Sequence, residues 1–173
     1  MGKTFHFVSF RKLKETVNDQ IIERKINSKA RGPHAETFVK WKLLEKGWNS
    51  VKGPEGAPVD LLTMSMEYPL RVVPIQVKSL YIDNSSIHIS VKNFMQESGP
   101  LYIIVVETKR GNFECLILSH YEMDKQLWKL GRDYKKDIYL TIPKSLEGYE
   151  FAKEKWEKVL EASKIFGDEN KPV

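Results

Sequence analysis

Two apolar segments near the middle of the chain have the pattern of adjacent β-strands. The first extends from Val59 to Met66 and carries Asp60 near its start, and the second extends from Leu70 to Leu80 and carries Gln76 and Lys78. Side chains two residues apart on a strand point to the same face, so Gln76 and Lys78 should emerge together. A carboxylate on the neighbouring strand is then in a position to meet them.

Apolar periodicity predicts helices and short strands on both sides of this pair. Helical spacing is clearest after Arg31-Gly32-Pro33-His34, a run that we interpret as a helix breaker, and Gly47 supplies the C-terminal stop. This places Glu36 in the first turn of that helix, where the helix dipole favours a carboxylate. In chain order, the other predicted elements are a basic amphipathic helix over 5–30, the helix over 35–46, a strand over 48–52, a strand over 87–91, a short helix over 92–97, a hairpin of strands over 101–107 and 113–118, a helix over 121–130, a strand over 138–142 and a helix over 149–166.

Composition limits the class of protein and its partners. The 173 residues fit one domain, and 28 Lys and Arg against 23 Asp and Glu give a formal net charge of +5, which favours a polyanionic partner. The single cysteine, Cys115, permits no intrachain disulfide and is interpreted as a small core residue. No apolar run reaches the roughly 18 residues needed to span a bilayer. We therefore expect a soluble, intracellular protein, in the cytoplasm or a host-cell interior, with no membrane partner.

The pattern indicates a single domain with four parts. These are a basic helical arm over 1–30, a core over 31–120, a C-terminal helical elaboration over 121–166 and a polar tail over 167–173. The arm carries Lys and Arg among its apolar positions. Such a helix either packs on the core with a solvated basic face, or it contacts phosphates or a second subunit. The sequence leaves both interpretations open.

The order helix, strand, strand, strand, short helix, strand, strand places an acidic residue on the first core helix and three polar residues on the next strands. In this order the chain resembles the PD-(D/E)XK nuclease superfamily, whose motif is an acid on the first helix, a Pro-Asp or similar at a strand start, and acid-x-Lys on the next strand. The segment from Gly32 to Lys78 is particularly similar to archaeal Holliday junction resolvases and to small homing-endonuclease-like members. The matching residues are Glu36, then Pro58-Val59-Asp60, then Gln76-Val77-Lys78.

The resemblance implies an α/β fold with a restriction-endonuclease-like αβββαβ core, in which helices flank a mixed central sheet. It also implies an endodeoxyribonuclease that depends on Mg²⁺ or Mn²⁺. Mg²⁺ prefers oxygen ligands, which here would be Asp60, the amide oxygen of Gln76, the backbone carbonyl of Val77, and Glu36 directly or through water. Lys78 would orient or deprotonate the attacking water and offset phosphate charge.

Two departures from the motif bear on activity. Val59 separates Pro58 from Asp60, and Gln76 stands where the superfamily usually has an acid. Some branches with Gln at this place remain nucleases, because a carboxamide oxygen still coordinates a hard cation, but Gln adds no negative charge. Two functions stay open: an endonuclease acting on branched or site-specific duplex DNA, and a catalytically inactive DNA-binding protein that keeps the nuclease fold.

Further residues and a quaternary state follow from the same hypothesis. Arg31, His34 and His88 are candidate phosphate contacts, and His34 is favoured because a helix start beside Glu36 is a natural anion contact. Enzymes that cut two strands often pair, so we expect a homodimer or a higher homo-oligomer. A third interpretation is an interaction domain whose basic first and last helices form an oligomer interface.

Overall fold

A computed structural model of the chain describes residues 28–80, 86–89, 99–109, 111–129, 138–143 and 145–167. Within these ranges it contains three helices and seven strands. In chain order they are α1 (Ser28–Leu44), β1 (Trp48–Lys52), β2 (Leu61–Ser65), β3 (Val72–Leu80), β4 (Ser86–Ile89), β5 (Leu101–Lys109), β6 (Asn112–Leu118), α2 (His120–Lys129), β7 (Ile138–Thr141) and α3 (Glu157–Gly167).

Five strands form one mixed sheet in the order β1-β2-β3-β5-β6. The pairs β1/β2, β2/β3 and β5/β6 are antiparallel, whereas β3 and β5 are parallel. The two remaining strands, β4 and β7, pair with each other in a separate antiparallel ribbon. With its flanking helices, this sheet confirms the prediction of an α/β fold with a mixed central sheet.

Helices cover the two faces of the sheet, and alternate residues along the strands are buried beneath them. Beneath α1 and α3 lie Val73, Ile75 and Val77 of β3 with Ile103 and Val105 of β5. On the opposite face, Leu80 packs with residues of β5, α2 and β7, among them Tyr102, Ile104, Met123 and Leu140. The register places Gln76 beside Tyr102 and Lys78 beside Ile104, so Gln76 and Lys78 share the face that is turned away from α1.

The helix α1 runs without interruption through Arg31-Gly32-Pro33-His34, so the prediction that this run breaks the helix is wrong. Proline has no N–H to donate inside a helix, which makes it unfavourable there on local grounds. Tertiary packing outweighs that cost, because one stripe of α1 is fully buried against the sheet: Ala35, Val39 and Leu43. Glu36 is therefore the ninth residue of the described helix, and the helix dipole does not account for it.

The last helix is shorter than predicted. In place of a helix over 149–166, residues 145–156 form turns and α3 begins at Glu157. These turns pair with the edge of the sheet: the N–H of Glu154 donates to the carbonyl of Cys115 at 2.8 Å, and the N–H of Cys115 donates to the Glu154 carboxylate at 2.6 Å. Glu154 has φ +53°, which a continuous helix does not allow. The exposed edge of β6 is thereby covered.

The other predicted strands, the hairpin and the helix after it are confirmed to within a few residues at their ends. Cys115 is fully buried, as predicted, and burial raises the pKa of its thiol well above the usual range. The basic arm up to residue 27, the short helix over 92–97 and the tail from residue 168 lie outside the described residues. Among the described helices, none has the length and apolar character that crossing a bilayer requires.

Candidate active site

Asp60 is held by backbone hydrogen bonds at the point where three strands meet. It directly precedes β2, and its N–H donates to the carbonyl of Ile75 on β3 at 2.9 Å. Its own carbonyl accepts a hydrogen bond from the N–H of Gly53, directly after β1, at 2.8 Å. The backbone of Asp60 is thus fixed from both neighbouring strands, which determines where its side chain begins.

The Asp60 carboxylate binds the strand β3. Its Oδ2 accepts hydrogen bonds from Gln76 Nε2 at 2.5 Å and from the backbone N–H of Val77 at 2.7 Å. Hydrogen bonds to an ionised carboxylate are stronger than neutral ones, and Gln76 is only 6% exposed, so the pair is well ordered. Because the amide nitrogen faces Asp60, the amide oxygen Oε1 is the Gln76 atom that can bind a cation.

The backbone carbonyl of Val77 is directed toward the same place. In an extended strand the N–H and C=O of one residue point toward the same neighbour, and the N–H of Val77 points to Asp60. Val77 lies beyond the last ladder pair of β2 and β3, which joins Leu61 to Ile75. Its carbonyl therefore faces the gap where β2 has not yet begun, on the side of Asp60.

Glu36 reaches the same site from α1. It follows the buried Ala35 and is half-buried at the edge of the helix–sheet contact. Burial raises the pKa of Glu36 above its ordinary value and the negative charge of Asp60 raises it further, whereas Lys40 and Lys52 lower it. The structure therefore joins Asp60 to Gln76 and Val77 by hydrogen bonds and places Glu36 within electrostatic range of Asp60.

Replacing Glu36 by glutamine is expected to stabilise the fold at neutral pH. A folded-state pKa above the unfolded-state value means that ionised Glu36 destabilises the fold, fully at pH values above the folded-state pKa. Below about pH 4.5 the group is protonated in both states, so the destabilisation is lost. Melting temperatures should therefore be higher for Glu36→Gln than for the wild type at pH 7 and equal at pH 4. Glu161→Gln, at an exposed position of α3, is the matched control and should change little at either pH.

Lys78 is half-buried on β3, two residues after Gln76 and on the same face of the sheet. It lies beside Ile104 on one side of the sheet, while Glu36 approaches Asp60 from the other side, with α1. The site is therefore built across the sheet, with carboxylates in the middle and a lysine on the face opposite α1.

The three candidate phosphate contacts lie on two elements, α1 and β4. Arg31 is half-buried and His34 is exposed, both within α1, so the helix-start argument for His34 is wrong. His88 is exposed on β4, where its ring lies 5.5 Å from that of Tyr139 on β7. Because β4 pairs with β7 outside the main sheet, the strand that carries His88 is not paired with β3.

The donor set fits a hard divalent cation. Two carboxylates, one amide oxygen and one backbone carbonyl are all oxygen donors, which Mg²⁺ prefers. Burial is the main reason that the pKa of Glu36 is raised, and repulsion by Asp60 adds to it; a cation bound between the two carboxylates would relieve that repulsion. Within the residues that the structure describes, no three His, Cys, Asp or Glu side chains are grouped as a metal site, so a cation here requires Gln76 or backbone oxygens.

Three residues at this site were not predicted from the sequence. Lys40 and Lys52 act electrostatically on Glu36, and Gly53 binds the backbone of Asp60. Glu36 and Lys40 are four residues apart on a predicted helix, and this spacing was a usable signal that Lys40 lies near Glu36. Lys52 and Gly53 become neighbours of Asp60 only through the pairing of β1 with β2, which no local pattern specifies.

Comparisons with known proteins support the fold. No protein-family model and no curated protein sequence matches the chain. Among solved structures, the bacterial homing endonuclease I-Ssp6803I is similar, with a TM-score of 0.51 and 18% sequence identity over 82% of this chain and 97% of that one. At this identity the similarity concerns the fold, which the chain shares over nearly the whole length of that structure.

Proposed function

We propose that the protein is a metal-dependent DNA endonuclease of the PD-(D/E)XK type, which hydrolyses phosphodiester bonds in branched or site-specific duplex DNA. The observation that carries the proposal is the Asp60 carboxylate, held at 2.5 Å and 2.7 Å by Gln76 and Val77 and within electrostatic range of Glu36. These residues correspond in order to the superfamily motif. The similarity of the fold to that of a homing endonuclease supports the endonuclease part of the proposal.

Each residue has a distinct part in the proposed reaction. Asp60, Glu36, the Gln76 amide oxygen and the Val77 carbonyl would hold Mg²⁺ or Mn²⁺. When bound, the cation supplies Lewis-acid stabilisation of the negative charge that develops on the phosphoryl oxygens. Lys78 would orient the attacking water and offset phosphate charge from the face opposite α1, while the proton of that water passes to solvent. The hydrogen bonds from β3 keep Asp60 oriented throughout.

The partner would be DNA, and the protein would act as a homodimer or a higher homo-oligomer. The net charge of +5 favours a polyanion. Duplex cleavage requires attack on two strands, which two copies of a single site accomplish by symmetry.

Cleavage assays test the proposal. Supercoiled plasmid and a synthetic four-way junction are incubated with the wild-type protein and Mg²⁺ or Mn²⁺, and in parallel with EDTA. Nicked, linear or resolved products that require the metal support the proposal. Absence of products from every DNA form with either metal would contradict it.

One observation favours a second candidate, a DNA-binding protein that keeps the nuclease fold without activity. The Gln76 amide donates a hydrogen bond to the Asp60 carboxylate, which a cation would otherwise bind. Because the amide is neutral, the site carries less negative charge than it would with an acid at this position. DNA affinity that depends on salt and is indifferent to divalent metal would favour this candidate.

Gln76→Glu separates the two candidates. If the wild type is an active nuclease that uses the amide, the new carboxylate is expected to repel Asp60 and change cleavage less than tenfold in either direction. If the wild type is inactive because the acid is missing, the variant should cut DNA where the wild type does not. Gln126→Glu, on the half-buried side of α2, is the matched control and should leave cleavage unchanged.

A further inference from the structure

Two lysines lie next to the carboxylates of the site without pairing to them. Lys40 follows Glu36 by four residues on α1 and is half-buried, and Lys52 ends β1 and is exposed. Both positive charges act on Glu36. Within the described part of the chain, neither ammonium group takes part in a hydrogen bond or an ion pair. Both charges lie at the site and act on one of its carboxylates, so an anion bound there would be attracted by them as well.

The strand register fixes the side of the sheet on which Lys52 emerges. Lys52 pairs with Leu61, the residue directly after Asp60, and cross-strand partners share a face. Leu61 is buried beneath α1 together with Val39, so Lys52 also emerges on the α1 side. Among the strands that the structure describes, β1 is at the edge of the sheet, so none of them lies between Lys52 and a ligand that approaches from this edge.

Lys40 emerges beside it from the helix. Residues four apart lie on the same side of a helix, and the buried stripe that contains Ala35 and Val39 is followed at each turn by Glu36 and Lys40. Glu36 and Lys40 therefore line the margin of the helix that faces β1. Together with Lys78 on the other face of the sheet, the two lysines leave positive charge on both sides of Asp60.

We propose that Lys40 and Lys52 form a phosphate-binding pair that holds the DNA backbone on the α1 side of Asp60, at a phosphate next to the one that is cut. The inference rests on the proposed function for the identity of the ligand. Phosphates follow one another along each strand at about 3.4 Å of axial rise, so a backbone bound at Asp60 carries further phosphates past the site. In this arrangement Lys78 binds the scissile phosphate, and Lys40 and Lys52 bind the phosphate next to it.

The salt dependence of DNA binding tests the proposed role of Lys40 and Lys52 under conditions in which no DNA is cut. Affinity for a duplex oligonucleotide is measured in EDTA at several salt concentrations for the wild type, Lys40→Gln, Lys52→Gln and the double variant. Each lost phosphate contact reduces the slope of log affinity against log salt by about 0.9, so each single variant should lose about that amount and the double variant about twice as much. Lys40→Arg and Lys52→Arg keep the charge and should restore the slope.

Lys153→Gln is the control for a change of charge alone. Lys153 contacts β6 at the opposite edge of the sheet from β1, and it pairs with Glu114 at 2.8 Å. Its variant should keep the wild-type slope. If the slopes for Lys40→Gln and Lys52→Gln equal that of the control, the two lysines do not bind phosphate and the proposal is wrong. The proposal is also wrong if the wild-type protein binds no DNA at low salt. If the slopes fall as expected but the wild type cuts no DNA, the pair stands and the endonuclease proposal fails.

Discussion

Replacement of Asp60 by asparagine is expected to lower the rate of DNA cleavage by about a thousandfold or more. Asparagine keeps an oxygen that can accept the hydrogen bonds from Gln76 and Val77, so the strands should stay in place. It removes one of the two carboxylates near the site, and with it most of the attraction for a divalent cation. Cation stabilisation of the reacting phosphate is worth several kcal/mol, which corresponds to about three orders of magnitude in rate.

Single-turnover cleavage with saturating protein measures this effect without interference from DNA binding. Glu55→Gln is the matched control, because Glu55 is an exposed carboxylate in the loop between β1 and Asp60. It should cut at the wild-type rate. A melting temperature of Asp60→Asn close to that of the wild type shows that the fold is intact. Equal cleavage by Asp60→Asn and the wild type would remove Asp60 from the mechanism.

Replacement of Gly53 by alanine is expected to lower cleavage by about tenfold to a hundredfold, because displacement of a reacting group by about 1 Å has an effect of this size. A Cβ at Gly53 would overlap the carbonyl oxygen of Val59 and lie 2.9 Å from its carbonyl carbon. The obstacle is backbone, which cannot rotate away as a side chain can. The segment that carries Asp60 must therefore move, although Gly53 touches none of the reacting groups.

Calorimetry distinguishes a displaced Asp60 from a general loss of structure. Gly53→Ala should weaken Mn²⁺ binding together with cleavage. Gly32→Ala is the matched control, since an added Cβ there meets no atom within 4 Å and lies in a helix, where alanine is favoured over glycine by about 1 kcal/mol. This control should cut normally and be at least as stable as the wild type. Wild-type Mn²⁺ affinity in Gly53→Ala would show that Gly53 does not position Asp60.

Much of the sheet follows from local patterns. The residues of β2 and β3 are apolar or alternate between apolar and polar, as those of strands do. The two-residue period of a strand is enough to place Gln76 and Lys78 on one face of the sheet. The sequence places Asp60 and Gln76 on adjacent strands, and the structure joins them by a hydrogen bond. The place of Glu36 in the site was implied by the resemblance to a family, and in the structure Glu36 acts on Asp60 electrostatically.

The errors have a common physical cause, which is that tertiary contacts override local preference. Pro33 should end a helix on local grounds, yet the buried stripe of α1 keeps the helix continuous. The periodicity over 149–166 favours a helix, yet the hydrogen bonds between Glu154 and Cys115 draw the first part of it to the edge of β6. Lys52 and Gly53 were missed for the same reason, since only the pairing of β1 with β2 brings them to Asp60.

A metal-jump experiment shows whether cleavage depends on a divalent cation held at Asp60. Protein and labelled DNA are first mixed in EDTA, Mg²⁺ is then added in excess, and the cleaved fraction is followed in time for the wild type and for Asp60→Asn. The wild-type complex should remain uncut until Mg²⁺ arrives and then cut in a single phase, while Asp60→Asn stays uncut. Cleavage in EDTA, or equal rates for the two proteins after the addition of Mg²⁺, would contradict the account.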